Sequence, residues 1–206
     1  MRIISGIYKG RRLKTVPGLE VRPTSDRLRE TLFNILTPHI RDSHFLDLCA
    51  GSGAIGIEAA SRGAGEIVFV DKSRQSCAIL QENLTMIGGP DNARIIQRDA
   101  LAALKQLENA LPPQIAEQEN AEAERNGKFD IVYLDPPYDS GIYPDILKQL
   151  AGGQLIDGDS IVVVEHRTWT RLEPAYGDLK IYRELKQGSS TLTFFQKASE
   201  QEPAET

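Results

Sequence analysis

With 206 residues and 40 % hydrophobic side chains, the chain can bury a substantial core as one main domain with a small appendage. Its formal charge is −5, and no apolar run approaches the roughly 18 residues of a membrane span, nor does an apolar stretch follow the basic N-terminus as in a signal peptide. Two cysteines (Cys49, Cys77) and three scattered histidines (His39, His44, His166) form neither a disulfide framework nor a metal-ligand spacing, so the expectation is a cytoplasmic protein without a metal.

From the N-terminus, Ile3, Ile4, Ile7 and Tyr8, punctuated by Gly6 and Gly10, predict a small hairpin over 2–14. Residues 1–30 hold eight cations (Arg2, Lys9, Arg11, Arg12, Lys14, Arg22, Arg27, Arg29) against three acids (Glu20, Asp26, Glu30), a net of +5 that leaves −10 for the rest. A basic arm on an acidic body is the footprint of a polyanion site or of a plain solvated surface; RNA, DNA and other partners all fit it. Pro17-Gly18 then breaks the chain. Thr24 or Ser25 is placed to cap a helix from Asp26, with Leu28, Leu32, Phe33, Ile35 and Leu36 as its buried stripe and an end before Pro38.

From His44 the pattern becomes regular. Strands are predicted over 45–49, 66–70, 94–97, 129–134 and 160–165, with helices over 54–62, 74–86, 100–108 and 143–150. This alternation implies an α/β fold, a parallel sheet with helices on both faces. Strands over 180–185 and 191–196 are joined through Gly188-Ser189 with no helix between them, which predicts an antiparallel hairpin. Cys49, within the first apolar strand, is expected to be a buried small hydrophobe. The polar stretch 111–128 reads as an exposed loop or short helix, and 198–206 as a disordered tail.

Two loops carry the chemistry. Asp47-Leu-Cys-Ala-Gly51-Ser52-Gly53-Ala-Ile-Gly56 follows a strand and opens a helix, and Asp71 ends the next strand, 20 residues after Gly51. Formally this is the dinucleotide fingerprint, with glycines for close backbone approach and an acid for ribose hydroxyls. Charge separates two ligands. Asp47, Asp99 and Asp135 all follow strands, and no Lys or Arg lies between 45 and 61. That ring of carboxylates repels a pyrophosphate and suits the sulfonium and ammonium of S-adenosylmethionine. The second loop is Asp135-Pro136-Pro137-Tyr138, after the apolar run 131–134. The prolines stop the strand and stiffen the turn, presenting a carboxylate, free carbonyls and a ring suited to a planar amine.

Residues 44–197 resemble the seven-stranded S-adenosylmethionine-dependent methyltransferases. Asp47-Leu-Cys-Ala-Gly-Ser-Gly is similar to their first motif, Asp71 to their ribose-binding acid, Asp99-Ala100 to their adenine-side motif, and Asp135-Pro-Pro-Tyr138 to the motif of enzymes that methylate planar nitrogens. Arg2-Ile-Ile-Ser-Gly-Ile-Tyr-Lys-Gly-Arg-Arg-Leu and Arg22-Pro-Thr-Ser-Asp-Arg-Leu-Arg-Glu-Thr-Leu-Phe-Asn-Ile-Leu resemble the N-terminal segment of the RsmD family. The stretch 114–126 is longer than that loop needs to be. The resemblance implies a Rossmann-like seven-stranded sheet, mostly parallel with an antiparallel C-terminal hairpin. It divides the chain into a basic RNA-contacting hairpin and helix (1–41), a methyltransferase domain (42–197) and a tail (198–206).

The family methylates the N2 amine of one guanine in bacterial 16S rRNA, so the implied partner is 16S rRNA in a 30S subunit or assembly intermediate, and the protein a monomer. Implied roles are catalysis by Asp135, Pro136, Pro137 and Tyr138, and cofactor binding by Asp47, Gly51, Ser52, Gly53, Asp71, Asp99, Ala100 and Asp135. Lys9, Arg11, Arg12, Arg22, Arg27 and Arg29 would hold RNA, with salt bridges to Asp26 or Glu30 a close second use for Arg27 and Arg29. The rivals are an NAD-dependent oxidoreductase, an adenine-DNA or glutamine-protein methyltransferase, and a non-catalytic RNA-binding module.

Overall fold

The computed structural model describes residues 1–16, 26–112, 127–137 and 141–198. The predicted Pro17-Gly18 break, the Thr24 or Ser25 cap, most of the polar loop and all but the first residue of the tail lie outside them. The elements are α1 (Asp26–Ile40), β1 (His44–Leu48), α2 (Ala54–Ser61), β2 (Glu66–Asp71), α3 (Arg74–Ile87), β3 (Ala93–Gln97), α4 (Ala100–Asn109), β4 (Ile131–Leu134), α5 (Tyr143–Gly152), β5 (Ile161–Arg167), β6 (Ala175–Tyr176), β7 (Leu179–Gln187) and β8 (Ser190–Lys197). One sheet runs β3-β2-β1-β4-β5-β8-β7-β6. Its first five strands are parallel, and β8, β7 and β6 complete it antiparallel. The expected seven strands are present, with the two-residue β6 added at the edge.

Strand alternation sorts the side chains onto two cores. Leu46, Leu48, Val132, Leu134, Val162 and Val164 pack with α4 and α5 through Leu104, Ile146 and Leu147. Phe45, Phe69, Ile131, Tyr133 and Val163 face α1, α2 and α3 through Leu32, Phe33, Ile57 and Leu80. Buried on both faces, these strands are short apolar runs, as parallel strands must be. The crossovers from β1 go to β2 on one side, while β4 lies on the other. The sheet therefore has its switch point between β1 and β4, where open α/β sheets form a crevice at the carboxyl edge.

Three local expectations are corrected. Helix α1 runs through Pro38 to Ile40 instead of stopping before the proline. Pro38 has no N–H for the last turn, but buried Ile40 holds that turn against the core, and Thr37 Oγ1 donates to the Phe33 carbonyl (2.8 Å). Strand β1 ends at Leu48, and Cys49 is a half-buried loop residue with φ +65°. The N-terminal segment is less regular than a hairpin. Ile3 N donates to Arg11 O (3.0 Å) and Leu13 N to Met1 O (2.9 Å), around a single bridge between Arg2 and Arg12.

That segment spends its other donors on α2. Ile4 N and Ser5 N donate to Glu58 Oε2 and Oε1 (2.8 and 3.0 Å), and Ile7 N to Ser61 O (2.8 Å). The approach requires Gly6, at φ +82°, since a Cβ there would lie 1.7 Å from Ser61 O. Arg29, expected among the RNA-facing cations, is instead fully buried in this junction. Its Nη2 donates to Arg2 O (2.7 Å) and Asp26 Oδ1 (2.9 Å), with Glu58 4.0 Å from Nε. Burial pulls its guanidinium pKa down, and Glu58 and then Asp26 act against that.

Candidate active site

The glycine loop leaves β1 and turns into α2 under two carboxylates. Asp71 Oδ2 accepts from Gly51 N (2.8 Å) and its Oδ1 from Ser73 N (2.8 Å), tying the loop to the end of β2. Asp47 Oδ2 accepts from Gly56 N in the first turn of α2 (2.9 Å). Behind the loop, buried Asn83 donates to Ser52 O (2.9 Å) and Lys14 O (3.0 Å), and accepts from Lys14 N (2.8 Å). One amide thus joins the glycine loop to the basic segment. Gly51 and Gly53 hold φ +56° and +82°, and a Cβ on Gly53 would lie 2.1 Å from Leu80 Cδ1. The backbone is preset, with Gly51 and Ser52 half-exposed at its tip.

Asp47 is only 2 % exposed, so it braces the loop from beneath rather than facing the open crevice. Burial raises its carboxyl from the ordinary 3.8 to about 7, opposed by the Gly56 N–H and reinforced by Asp71. A carboxyl raised on folding holds its proton more tightly folded than unfolded. The ligand-free fold therefore loses stability as pH rises from about 4 through about 7, by on the order of 4 kcal/mol. Asp47→Asn is expected to remove that part of the pH dependence. Melting temperatures of both proteins between pH 5 and 8 check it, and identical slopes would refute it.

Asp135 follows β4, its N–H 3.4 Å from the Leu48 carbonyl of β1. It is half-buried, Pro136 is buried and Pro137 exposed, while Tyr138 lies outside the described residues. At the carboxyl end of β3, exposed Asp99 caps α4 by accepting from Ala102 N (2.9 Å), with Ala100 buried behind it. Asp47, Asp71, Asp99 and Asp135 are thus brought to one sheet edge.

Sequence reading missed Glu165. Leu134 pairs with Val164, so Asp135 and Glu165 are neighbours at the next position, on the same face as Asp47 and Tyr133. Glu165 is 1 % exposed, and its Oε2 accepts from Tyr133 O–H at 2.5 Å. A signal was there: an acid after the apolar run 161–164 is costly to bury unless it has a use. Burial, then Glu165, then Asp47 push the Asp135 carboxyl well above its usual range, and Arg167 pulls it back. Carboxyls so close cannot all ionise without cost. A cationic group in the crevice would relieve that strain, so the donor set fits a sulfonium or ammonium better than a phosphate.

Of the other predicted cations, Lys9, Arg11, Arg12 and Arg27 are exposed, and Arg22 lies outside the described residues. Arg11 is partly committed. Its Nη1 donates to the Ile87 carbonyl, and its guanidinium lies 5.4 Å over the Tyr8 ring. Arg2, Lys9 and Arg27 line a cleft between the N-terminal segment and α1 together with Asp26 and Glu30. His166 is occupied elsewhere, with Nδ1 donating to the Arg167 carbonyl (2.8 Å) and Nε2 2.8 Å from Thr193 Oγ1. Among the described residues no cluster of His, Cys, Asp or Glu is arranged to hold a metal, and no helix is long and apolar enough to cross a membrane.

The same sequence pattern and fold occur in known proteins. The family described as "Conserved hypothetical protein 95" matches residues 1–196. The chain is 34 % identical over 197 residues to "Putative rRNA methyltransferase YlbH" of Bacillus subtilis, covering 96 % of this chain and 99 % of that protein. It is 30 % identical over 202 residues to "Ribosomal RNA small subunit methyltransferase D" of Escherichia coli K12, covering 98 % and 92 %. The solved structure of "Putative methyltransferase yhhF from Escherichia coli" superposes with a TM-score of 0.77 at 31 % identity, over 96 % of this chain and 97 % of that one. With its model matched along nearly the whole chain and relatives aligned end to end, the protein belongs to the conserved hypothetical protein 95 family, the RsmD family.

Proposed function

We propose that this protein transfers a methyl group from S-adenosylmethionine to the exocyclic N2 amine of a guanine in small-subunit (16S) rRNA. The observation that carries the reading is the crevice between β1 and β4, where a preset glycine loop faces a proline-stiffened carboxylate among other carboxyls. The relatives named as rRNA methyltransferases support it. S-adenosylmethionine, when bound, supplies an electrophilic methyl group on a sulfonium. Gly51, Ser52 and Gly53 would hold its amino-acid portion by backbone groups, Asp71 its ribose hydroxyls, and Asp99 and Ala100 its adenine. Asp47 sets the loop rather than touching the ligand.

Guanine's amine is a poor nucleophile because its lone pair is delocalised into the ring. The Asp135 carboxylate and the Pro136 carbonyl accept its two N–H bonds, drawing the nitrogen towards tetrahedral geometry and aiming the lone pair. Tyr138 stacks on the base; such stacking is worth ~1–3 kcal/mol. The proton released on methylation passes to Asp135, whose raised pKa makes its ionised form a better acceptor. Most of the acceleration comes from positioning, which can supply roughly 7–11 kcal/mol of a barrier. No covalent enzyme intermediate is needed. Burial pushes the Cys49 thiol up to about 12, which suits a thiol with no nucleophilic task.

The target base must be flipped or unpaired, at a cost of a few kcal/mol if it was stacked. Residues 1–41 serve as the RNA-contacting extension, with Lys9, Arg12 and Arg27 on phosphates, and the protein acts as a monomer in the cytoplasm on a 30S particle or assembly intermediate. Lys9→Glu with Arg12→Glu is expected to weaken RNA binding more than ~10-fold and to lower the slope of log affinity against log salt by about 2, at unchanged cofactor affinity. An unchanged slope would remove the segment from the RNA interface.

The deciding test is transfer of labelled methyl from S-adenosylmethionine to 30S particles lacking the modification, followed by nucleoside analysis. Label in N2-methylguanosine at one rRNA site supports the proposal. Label in methyladenosine or in protein, or RNA binding without label, overturns it.

A further inference from the structure

We infer that Trp169, steadied by Arg167, is a stacking platform for an unpaired nucleotide of the RNA flanking the methylated base. The inference rests on the rRNA reading above. Trp169 is the chain's only tryptophan, and it is 72 % exposed, whereas indoles usually cover apolar surface or sit in an interface. It does not ride on a loose loop. Thr168 N donates to Ser189 O (3.0 Å), Arg167 Nη1 to Ser189 Oγ (3.3 Å), and Thr170 N to Arg167 O (2.9 Å), which pins the turn to the β7–β8 connection. The Arg167 guanidinium lies 5.4 Å from the indole centroid. With Arg167 on one ring face and most of the residue in solvent, the opposite face is open to a base.

The location is also suitable. Strand β5 runs parallel to β4 and ends at Arg167, past Glu165, at the same sheet edge as Asp135. Arg167 lies two residues past Glu165 on the same face of β5, and Trp169 follows it in the next turn. Cations interleave the aromatic in Arg167-Thr-Trp169-Thr-Arg171, and Arg171 and Lys186 are exposed. An aromatic face for a base beside cations for its phosphates is the chemistry of single-strand recognition. A duplex offers no free base face, so the surface favours a nucleotide beside a flipped or looped target.

Because the chain has a single tryptophan, its fluorescence reports on this site alone. A short single-stranded oligoribonucleotide is expected to quench the emission saturably, and the matching duplex to quench it far less. Trp169→Ala is expected to raise KM for unmethylated 30S particles about tenfold, with cofactor affinity unchanged, while Trp169→Phe retains most of the affinity. Emission insensitive to the single strand, or a KM for Trp169→Ala within twofold of wild type, would overturn the platform. Quenching by 30S particles but not by RNA alone would assign the surface to a ribosomal protein, and also overturn it. If the wild type placed no methyl on rRNA, the methyltransferase reading would fail separately, and the fluorescence titration would still decide whether Trp169 stacks on RNA.

Discussion

Asp135→Ala is expected to lower methyl transfer by about a thousandfold, within the range of ~10²–10⁴ for a positioned acid–base group, while cofactor binding by calorimetry stays close to wild type. In the proposed mechanism, alanine removes both the acceptor that orients the amine and the site that takes its proton. Asp135→Asn separates these uses, since it keeps a carbonyl acceptor but cannot be protonated at neutral pH. It should retain more activity than alanine and lose the rise of kcat with pH that titration of the raised Asp135 carboxyl imposes. Burial raises that carboxyl most, and Glu165 beside it adds to the rise. Full turnover by Asp135→Ala would eliminate the proposed chemistry whatever the cofactor does.

Arg29→Ala should destabilise the fold by about 3 kcal/mol, or roughly 10 °C in melting temperature for a chain of this size. The guanidinium is fully buried and ties Arg2 O, Asp26 and Glu58 together, so its loss leaves a cavity and takes a donor from the Arg2 carbonyl where the N-terminal segment joins α1 and α2. Arg62 Nε still pairs with Glu58 Oε1 at 2.8 Å, which keeps the loss below that of a wholly orphaned charge. Denaturant unfolding measures it. The salt slope of RNA binding should stay at the wild-type value, the reverse of the pattern expected for Lys9 and Arg12. A variant as stable as wild type but with a reduced salt slope would return Arg29 to the RNA interface.

The α/β order, the glycine loop and the Asp-Pro-Pro turn were legible in the sequence because each depends on neighbours in the chain. Alternating apolar runs, glycines after a strand and a proline pair act within a few residues, and so they survive being read in one dimension. The RsmD resemblance was legible for the same reason, as contiguous stretches around Arg2–Leu13 and Arg22–Leu36. Side-chain destinations were not. Arg27 and Arg29 are the same residue two positions apart, yet the helical turn aims Arg29 at Glu58 and leaves Arg27 in solvent. Asp47 and Asp135 both follow apolar residues, but α2 packs its first turn over Asp47 and leaves Asp135 open to the crevice. Glu165 and Trp169 gain meaning only because β5 lies beside β4, a pairing across about 30 residues that local sequence does not encode. Local chemistry thus specified the elements and the loops of the candidate site. Burial, and which carboxyl, guanidinium or indole is left exposed, came from long-range packing of the sheet.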